Sequence, residues 1–106
     1  MSQRLCWHGK WFRGLRPWEP ADSRLLAAIS RGEFSLNGLR NRDLRPLLFN
    51  VPANSPKETR RQSARVGRLL RLLRAHGLLQ KVARTHRYQV TAAGRKALTA
   101  ILAARH

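Results

Sequence analysis

The clearest pattern of apolar and polar positions in the chain predicts one long helix over residues 55–76. Ser55 is a suitable N-cap, Pro56 fits the first helical position, and Glu58 completes a capping box. Gly77 is suited to the left-handed conformation that often follows the last turn of a helix. Apolar residues recur at helical spacing, within about 100° of one another around the axis. This predicted core-facing stripe consists of Val66, Leu69, Leu70 and Leu73.

The opposite face of this helix is almost uniformly basic. It carries Lys57, Arg60, Arg61, Ala64, Arg68 and Arg71, again within about 100°. A solvated helix face usually mixes acids with bases, because opposite charges three or four residues apart stabilise each other. The single sign of charge, with small residues at Ala64 and Gly67, therefore favours close approach to nucleic-acid phosphates over an ordinary solvated face.

Two short β-type segments, residues 78–83 and 87–90, follow the long helix and predict a hairpin. The turn between them is basic, Arg84-Thr85-His86. Alternation along the second segment directs Tyr88 and Val90 towards the core. Thr91 is predicted to cap a last helix that runs from residue 92 to about 105. The apolar stripe of that helix consists of Leu98, Ile101 and Leu102.

The chain before the long helix predicts two further helices and a short extended link. Asp22 is a suitable cap for a first helix, roughly residues 23–31, which Gly32 ends. Residues 33–36 are predicted to be extended, with Phe34 and Leu36 facing the core. Asn37 or Asn41 then caps a second helix. Its apolar positions are Leu39, Leu44, Leu47, Leu48 and Phe49, and Pro46 falls inside it if Asn41 is the cap.

The resulting order is helix, short strand, helix, helix, two-stranded hairpin, helix: a mainly α fold with a small β-hairpin. Residues 63–94 contain a leucine-rich helix, Arg-Ala-His-Gly-Leu, a basic hairpin and Tyr-x-Val-Thr-x-x-Gly. This segment resembles the recognition helix, wing and following turn of bacterial winged helix-turn-helix proteins. The resemblance covers about residues 22–105, and extends to the C-terminal region of longer bacterial proteins of unassigned function. The link from Phe49 to Arg61 is longer than usual, so either the long helix is extended at its front or residues 50–61 form a basic loop.

The resemblance implies that the front half of the third helix and the wing contact double-stranded DNA. On the helix, the implied contacts are Arg60, Arg61, Ser63, Ala64, Arg65 and Arg68. On the wing and its flanks they are Lys81, Arg84, His86, Arg87 and Arg42. Any of these arginines either binds guanine O6 and N7 or contacts phosphate alone, and the sequence leaves both open. His76 is expected to have a structural role near the last carbonyls of the helix.

Composition and charge agree with a nucleic-acid partner. The chain has 106 residues, enough for one modest core, and a net charge of +17 from 22 Lys and Arg against 5 Asp and Glu. Cys6 is the only cysteine, so no intrachain disulfide can form. The sequence offers no metal-ligand spacing and no catalytic constellation. We therefore expect no enzyme activity, no metal and no cofactor.

The apolar runs are too short to cross a bilayer, which favours a cytoplasmic, nucleoid-associated protein. Residues 1–21 are predicted to form a tryptophan-rich extension, and residues 22–106 the winged helix domain. Trp7, Trp11 and Trp18 are expected to pack on the domain surface; alternatively they dock a larger protein partner. Leu72 lies off the apolar stripe, so it packs under the wing or joins a subunit contact. The last helix is a candidate homodimer contact.

Two other functions stay open at this point. Small, very basic domains also bind structured RNA, so an RNA-binding or ribosome-associated winged helix is one alternative. The other is a protein-interaction module that docks through the tryptophan-rich start. Clustering of charge on one helix and one hairpin turn favours duplex DNA, whether the protein is a transcriptional regulator or the DNA-binding piece of a mobile-element protein.

Overall fold

The computed structural model describes residues 2–32 and 34–104 of the chain. In these ranges it contains helical segments and two small antiparallel sheets, a mixed α/β fold. The elements are β1 (Leu5–Trp7), β2 (Lys10–Phe12), α1 (Pro20–Ile29), α2 (Phe34–Asn37), β3 (Leu39–Arg40), α3 (Asn41–Leu48), α4 (Pro56–Ala75), β4 (Leu79–Lys81), β5 (Arg87–Val90) and α5 (Ala92–Ala104).

The core lies where α1, α3 and α4 meet the larger sheet. Val66, Leu70 and Leu73 of α4 are fully buried, and Leu69 is half-buried against the same cluster, so the predicted stripe is confirmed. The other side chains less than 2% exposed are Leu15, Leu25, Leu26, Ile29, Leu39 and Leu44. Leu98 anchors α5 to this core, while Ile101 and Leu102 are half-buried.

The predicted ends of α4 are also confirmed. The Ser55 side chain accepts a hydrogen bond from the Glu58 N–H at 3.1 Å, and Pro56 is the first helical residue. At the other end Gly77 has φ +74°, the Leu78 N–H donates to the Leu73 carbonyl, and the Gly77 N–H donates to the Arg74 carbonyl. This pair of bonds is a Schellman motif. The long link after Phe49 is therefore explained by a helix extended at its front.

The first helix begins earlier than predicted, and Asp22 is not its cap. α1 starts at Pro20 with Glu19 at the N-cap position. Asp22 lies inside the first turn, where its carboxylate accepts hydrogen bonds from the Arg13 guanidinium and the Arg16 N–H. The prediction was wrong because these partners lie in the preceding segment, which local helix signals do not include.

Residues 34–41 also differ from the prediction. Phe34–Asn37 forms one helical turn instead of an extended link, and the strand comes later, at Leu39–Arg40. Glu33, the first residue of the predicted link, lies outside the described residues. Neither Asn37 nor Asn41 caps the second helix, because Arg40 occupies the N-cap position and its N–H donates to Asp43 at 2.8 Å. Leu39 belongs to β3 and pairs with Tyr88.

The larger sheet has strand order β3-β5-β4, with both pairings antiparallel. The β4–β5 hairpin, called here the C-terminal hairpin (residues 79–90), has a shorter first strand than predicted. Its turn is held by the Thr85 hydroxyl, which donates to the Val82 carbonyl and accepts from the Arg87 N–H. Thr91 caps α5 as predicted, since its hydroxyl accepts from the Gly94 N–H at 2.8 Å. α5 is described to Ala104, and the predicted end at residue 105 lies beyond that range.

The β1–β2 hairpin, called here the N-terminal hairpin (residues 5–12), lies in the tryptophan-rich N-terminal segment. Leu5–Trp7 pairs with Lys10–Phe12 in antiparallel register. Both turn residues have positive φ, His8 at 52° and Gly9 at 77°, as a tight two-residue hairpin turn requires.

Candidate nucleic-acid interface

A basic groove runs between the start of α3, the middle of α4 and the C-terminal hairpin. Ser63 and Gly67 of α4 line it from one side, and His86 at the hairpin turn lines it from another. Four arginines contribute to it, namely Arg40, Arg42, Arg45 and Arg71. We call this site the hairpin groove. No acidic side chain is among the described residues that line it.

Asn41 joins α3 to α4 at one side of the hairpin groove. Its side-chain amide donates to the Ser63 carbonyl at 2.9 Å, which fixes the start of α3 beside the middle of α4. The surface beside Gly67 is open, since a Cβ at this position would meet nothing closer than the Asn41 amide nitrogen at 3.9 Å. Asn41 Oδ1 and Arg45 Nε are buried without a hydrogen-bond partner among the described residues.

The predicted helix contacts are divided around the surface of α4. Arg60, Arg61, Ala64, Arg65 and Arg68 are exposed, whereas Ser63 is half-buried and lines the hairpin groove. Arg65 and Arg68 line a second groove on another flank of α4, beside the N-terminal hairpin. The structure therefore does not bring all six residues together at one groove.

Among the described residues, carboxylates neutralise few of these cations. Arg61 approaches Glu58 at 3.4 Å, and both side chains are largely exposed, so the pair is weak. Arg60, Arg65, Arg68 and Arg71 have no ion pair or hydrogen bond from their side chains to the described residues. Four unpaired guanidinium groups on one helix leave a strong positive field at its surface.

The predicted hairpin contacts have different environments. His86 and Arg42 are exposed and both line the hairpin groove. Arg84 is exposed at the turn with φ +63°, and Lys81 is exposed on β4. Arg87 is half-buried, and its guanidinium donates to the Asn37 carbonyl at 3.0 Å, so it holds α2 against the sheet.

Sequence reasoning did not include Arg40, Arg45 or Arg71 among the contacts. Arg71 lies on the predicted basic face, but the resemblance to winged helix-turn-helix proteins implied DNA contacts only from the front half of that helix. Arg40 reaches the groove because β3 pairs with β5, with Arg40 opposite Arg87. The sequence signal for these three contacts was a basic residue at each position. The pairing of β3 with β5, which brings Arg40 to the groove, cannot be read from the local sequence.

The N-terminal segment packs on the core through residues other than the expected ones. Leu15 is fully buried, while Trp11 is 65% exposed and Trp18 is 70% exposed, so the prediction of packing is wrong for these two tryptophans. Trp7 is half-buried, with the Arg74 guanidinium 5.2 Å from its ring centre. The division into an extension of residues 1–21 and a domain of residues 22–106 stays a prediction.

Leu72 of α4 and His76, which follows α4, both contact the N-terminal segment. Leu72 is buried and lines the groove beside β2, so it lies under the N-terminal hairpin and not under the C-terminal one. His76 Nε2 is 2.8 Å from the Arg13 carbonyl oxygen, so its structural role involves the N-terminal segment and not the helix carbonyls.

An ion pair fixes the N-terminal segment to α1. The Arg13 guanidinium makes two hydrogen bonds of 2.8 Å to the Asp22 carboxylate, and Asp22 is buried. The hydrogen bond from Arg13 lowers the pKa of Asp22 below its ordinary value despite burial, with a further contribution from the Arg16 N–H. The same hydrogen bond raises the pKa of Arg13.

In the described ranges, no group of three or more His, Cys, Asp or Glu side chains is arranged to hold a metal ion. None of the helices there has both the length and the apolar character needed to span a membrane. Comparison with protein-family models, curated proteins and solved structures finds no match to this chain.

Proposed function

We propose that this chain is a winged helix-turn-helix domain that binds double-stranded DNA through α4 and the C-terminal hairpin. The observation that carries the proposal is the exposed arginine surface of α4, largely free of carboxylates, which continues into the hairpin groove. Duplex DNA presents closely spaced phosphates, and arginine is well suited to bind them.

The order and pairing of elements support the winged helix assignment. The succession α1, β3, α3, α4, β4, β5, α5 follows the arrangement in which two helices and a turn precede a two-stranded wing. Pairing of β3 with β5 sets the hairpin beside the start of α3. The hairpin turn and the exposed surface of α4 therefore border the same groove.

In the proposed complex, the front half of α4 enters the major groove. Arg60, Arg61 and Arg68 reach phosphates or guanine edges, and Ala64 permits close approach of the helix. Arg42 and His86, which both line the hairpin groove, contact the flanking backbone, while Arg84 reaches the backbone or the minor groove. Arg87 is occupied by Asn37, and it acts by holding the sheet in place.

The first test is alanine substitution in α4. Arg61→Ala and Arg68→Ala should each weaken duplex binding by about 1–3 kcal/mol, because each removes a cation from the proposed contact surface. Arg95→Ala on α5 is the matched control, since it removes the same charge from an exposed residue outside both grooves. Affinity is measured by electrophoretic mobility shift at low salt with a duplex of about two helical turns.

Equal affinity of the Arg68→Ala and Arg95→Ala proteins would contradict the assignment of α4 as the contact helix. A folded RNA of matched length is included as competitor at the same salt concentration. If that RNA displaces the duplex at lower concentration than unlabelled duplex does, the partner is RNA.

A further inference from the structure

The groove between α4 and the N-terminal hairpin, the N-terminal groove, differs in chemistry from the hairpin groove. It has a volume of ≈ 490 Å³ and combines an indole ring, Trp11, with Lys10, Arg65 and Arg68. Leu69, Leu72 and Phe12 give it apolar surface. Positive charge beside an exposed aromatic ring distinguishes it from a surface built for phosphates alone.

Trp11 lies on the face of the N-terminal hairpin opposite to the one that packs on the domain, and it borders the N-terminal groove at the groove's edge. It pairs with Cys6, and both are exposed, whereas Leu5, Trp7 and Phe12 on the opposite face are half-buried. The Arg4 guanidinium lies 4.7 Å from the centre of the Trp11 ring. The hairpin itself is held by the contact of Trp7 with Arg74 and by the bond from His76 to the Arg13 carbonyl. The ring is therefore accessible, on a hairpin that is itself fixed to the domain.

The charge around Trp11 selects an anionic occupant. The described lining residues include no carboxylate, and Arg65, Arg68 and Arg71 have no ion pair within the described chain. Arg13 is the exception, because Asp22 already neutralises it. A chain of phosphates matches this charge, and a base stacked on an indole ring matches the aromatic surface. Bases inside a duplex are already stacked on both faces, so away from the duplex ends an unpaired nucleotide is needed to offer a free face to Trp11.

We propose that the N-terminal groove binds unpaired nucleotides that continue from the bound duplex. One base stacks on Trp11, while Arg65 and Lys10 contact the adjoining phosphates. This inference rests on the proposed function for the position of the duplex, because both grooves border the same helix. The preferred ligand is then a junction between double-stranded and single-stranded DNA.

The experiment compares four probes by fluorescence anisotropy at one salt concentration. They are a blunt duplex, the same duplex with a thymidine tail at a 5′ end, the same duplex with the tail at a 3′ end, and the tail strand alone. We expect one of the tailed duplexes to bind about tenfold more tightly than the blunt duplex, as expected for one stacked base. Trp11→Ala should abolish this difference and leave the affinity for the blunt duplex unchanged, whereas Trp11→Phe should keep part of it.

Trp18→Ala is the matched control, because Trp18 is equally exposed but does not line the N-terminal groove. It should retain the full preference for the tail. Both alanine variants should keep the circular dichroism spectrum and melting temperature of the parent, since each removes a largely exposed side chain.

The outcomes separate this inference from the proposed function. Equal binding of blunt and tailed duplexes by the parent protein, or equal loss in the two alanine variants, overturns the inference and leaves the proposed function intact. Tail-strand binding that depends on Trp11, with no duplex binding, supports the stacking contact and refutes the proposed function. Binding of a polyglutamate peptide that depends on Trp11 and exceeds binding of the tail strand would replace nucleic acid with an acidic protein partner.

Discussion

Asp22 shows how one side chain couples the N-terminal segment to the remainder of the fold. Its carboxylate is only 5% exposed, yet it is matched by two guanidinium hydrogen bonds and one backbone N–H. Removing one partner of such a buried, hydrogen-bonded charge leaves the other unsatisfied. The bond therefore holds the segment containing Leu15 against α1, and with it the base of the N-terminal hairpin.

Replacing Asp22 with asparagine should destabilise the protein. We expect the free energy of unfolding at neutral pH to fall by about 1–2 kcal/mol, a modest value because Arg13 is half exposed. The pKa of Asp22 is lower in the folded than in the unfolded state, so its contribution is present above about pH 4 and is lost as pH falls through the folded pKa. Urea unfolding of both proteins from neutral pH down through about pH 4 to strongly acidic pH measures the difference.

Glu19→Gln is the control for that series. Glu19 pairs with Arg16 at 3.3 Å, but both side chains are about half exposed, so its loss should cost less than about 0.5 kcal/mol. A difference between parent and Asp22→Asn that stayed constant across the whole pH series would show that the carboxylate charge has no part in stability.

Residue-level prediction from sequence succeeded where the signal was local. Ser55 and Thr91 cap their helices as expected, because a cap hydroxyl binds an N–H three residues later. Asp22 and Asn41 have side chains of the right type, yet their partners are Arg13 and the Ser63 carbonyl, 9 and 22 residues away. Their roles depend on tertiary contacts that a cap pattern cannot express.

Among the elements, α4 was predictable nearly to the residue, whereas β3 was not. A helix of 20 residues repeats its apolar stripe several times and carries caps at both ends. β3 has two residues and exists only because it pairs with β5, nearly fifty positions later in the chain. The candidate site inherits this difference, since the arginine face of α4 and Arg42 of α3 were predicted, whereas Arg40 of β3 and Arg45 of α3 were not.

Gly94 packs closely against the backbone of Leu78, just before the C-terminal hairpin. It lies in the first turn of α5, where an added Cβ would press on the backbone of Leu78, including its Cα at 2.9 Å. Gly94→Ala should therefore separate α5 from the start of the C-terminal hairpin and cost about 1–3 kcal/mol of stability. Thermal unfolding followed by circular dichroism provides the measurement.

Gly67→Ala is the matched control for Gly94, because it makes the same change inside a helix. Its Cβ would meet nothing closer than 3.9 Å, and alanine is favoured over glycine in a helix interior by about 1 kcal/mol. We expect stability to rise in this variant. Equal melting temperatures for the Gly94→Ala and Gly67→Ala proteins would disprove the role assigned to close packing at Gly94.

The net positive charge of the whole molecule destabilises its compact folded state. A net charge of +17 on 106 residues generates self-repulsion that the scattered acids cannot offset, and the ion pairs of Arg61 and Arg40 are partly or largely exposed. This repulsion is the expected cost of the proposed DNA-binding surface. It also means that salt should act in opposite directions on the free protein and on its complex.

We expect the melting temperature of the free protein to rise with sodium chloride concentration, because salt screens the repulsion between its positive charges. Each kcal/mol recovered should add about 4–8 °C in a domain of this size. Over the same range the affinity for duplex DNA should fall, with a slope of log K against log salt of about −0.9 for each phosphate neutralised. A melting temperature that decreased with salt would contradict the repulsion argument, and a flat affinity would contradict phosphate binding.

The residues that follow α4 tie three elements together at one point. The Thr91 hydroxyl donates to the Gly77 carbonyl at 2.6 Å, and the Thr91 N–H donates to the Leu78 carbonyl at 3.0 Å, next to the Schellman motif. These bonds fix the end of α4 beside the C-terminal hairpin, so the distance between helix and hairpin is set by the protein. A duplex bound by both, as proposed, would have to adjust its own curvature and groove width to fit. DNA sequences that bend at low energetic cost would then be favoured even at positions that no side chain reaches.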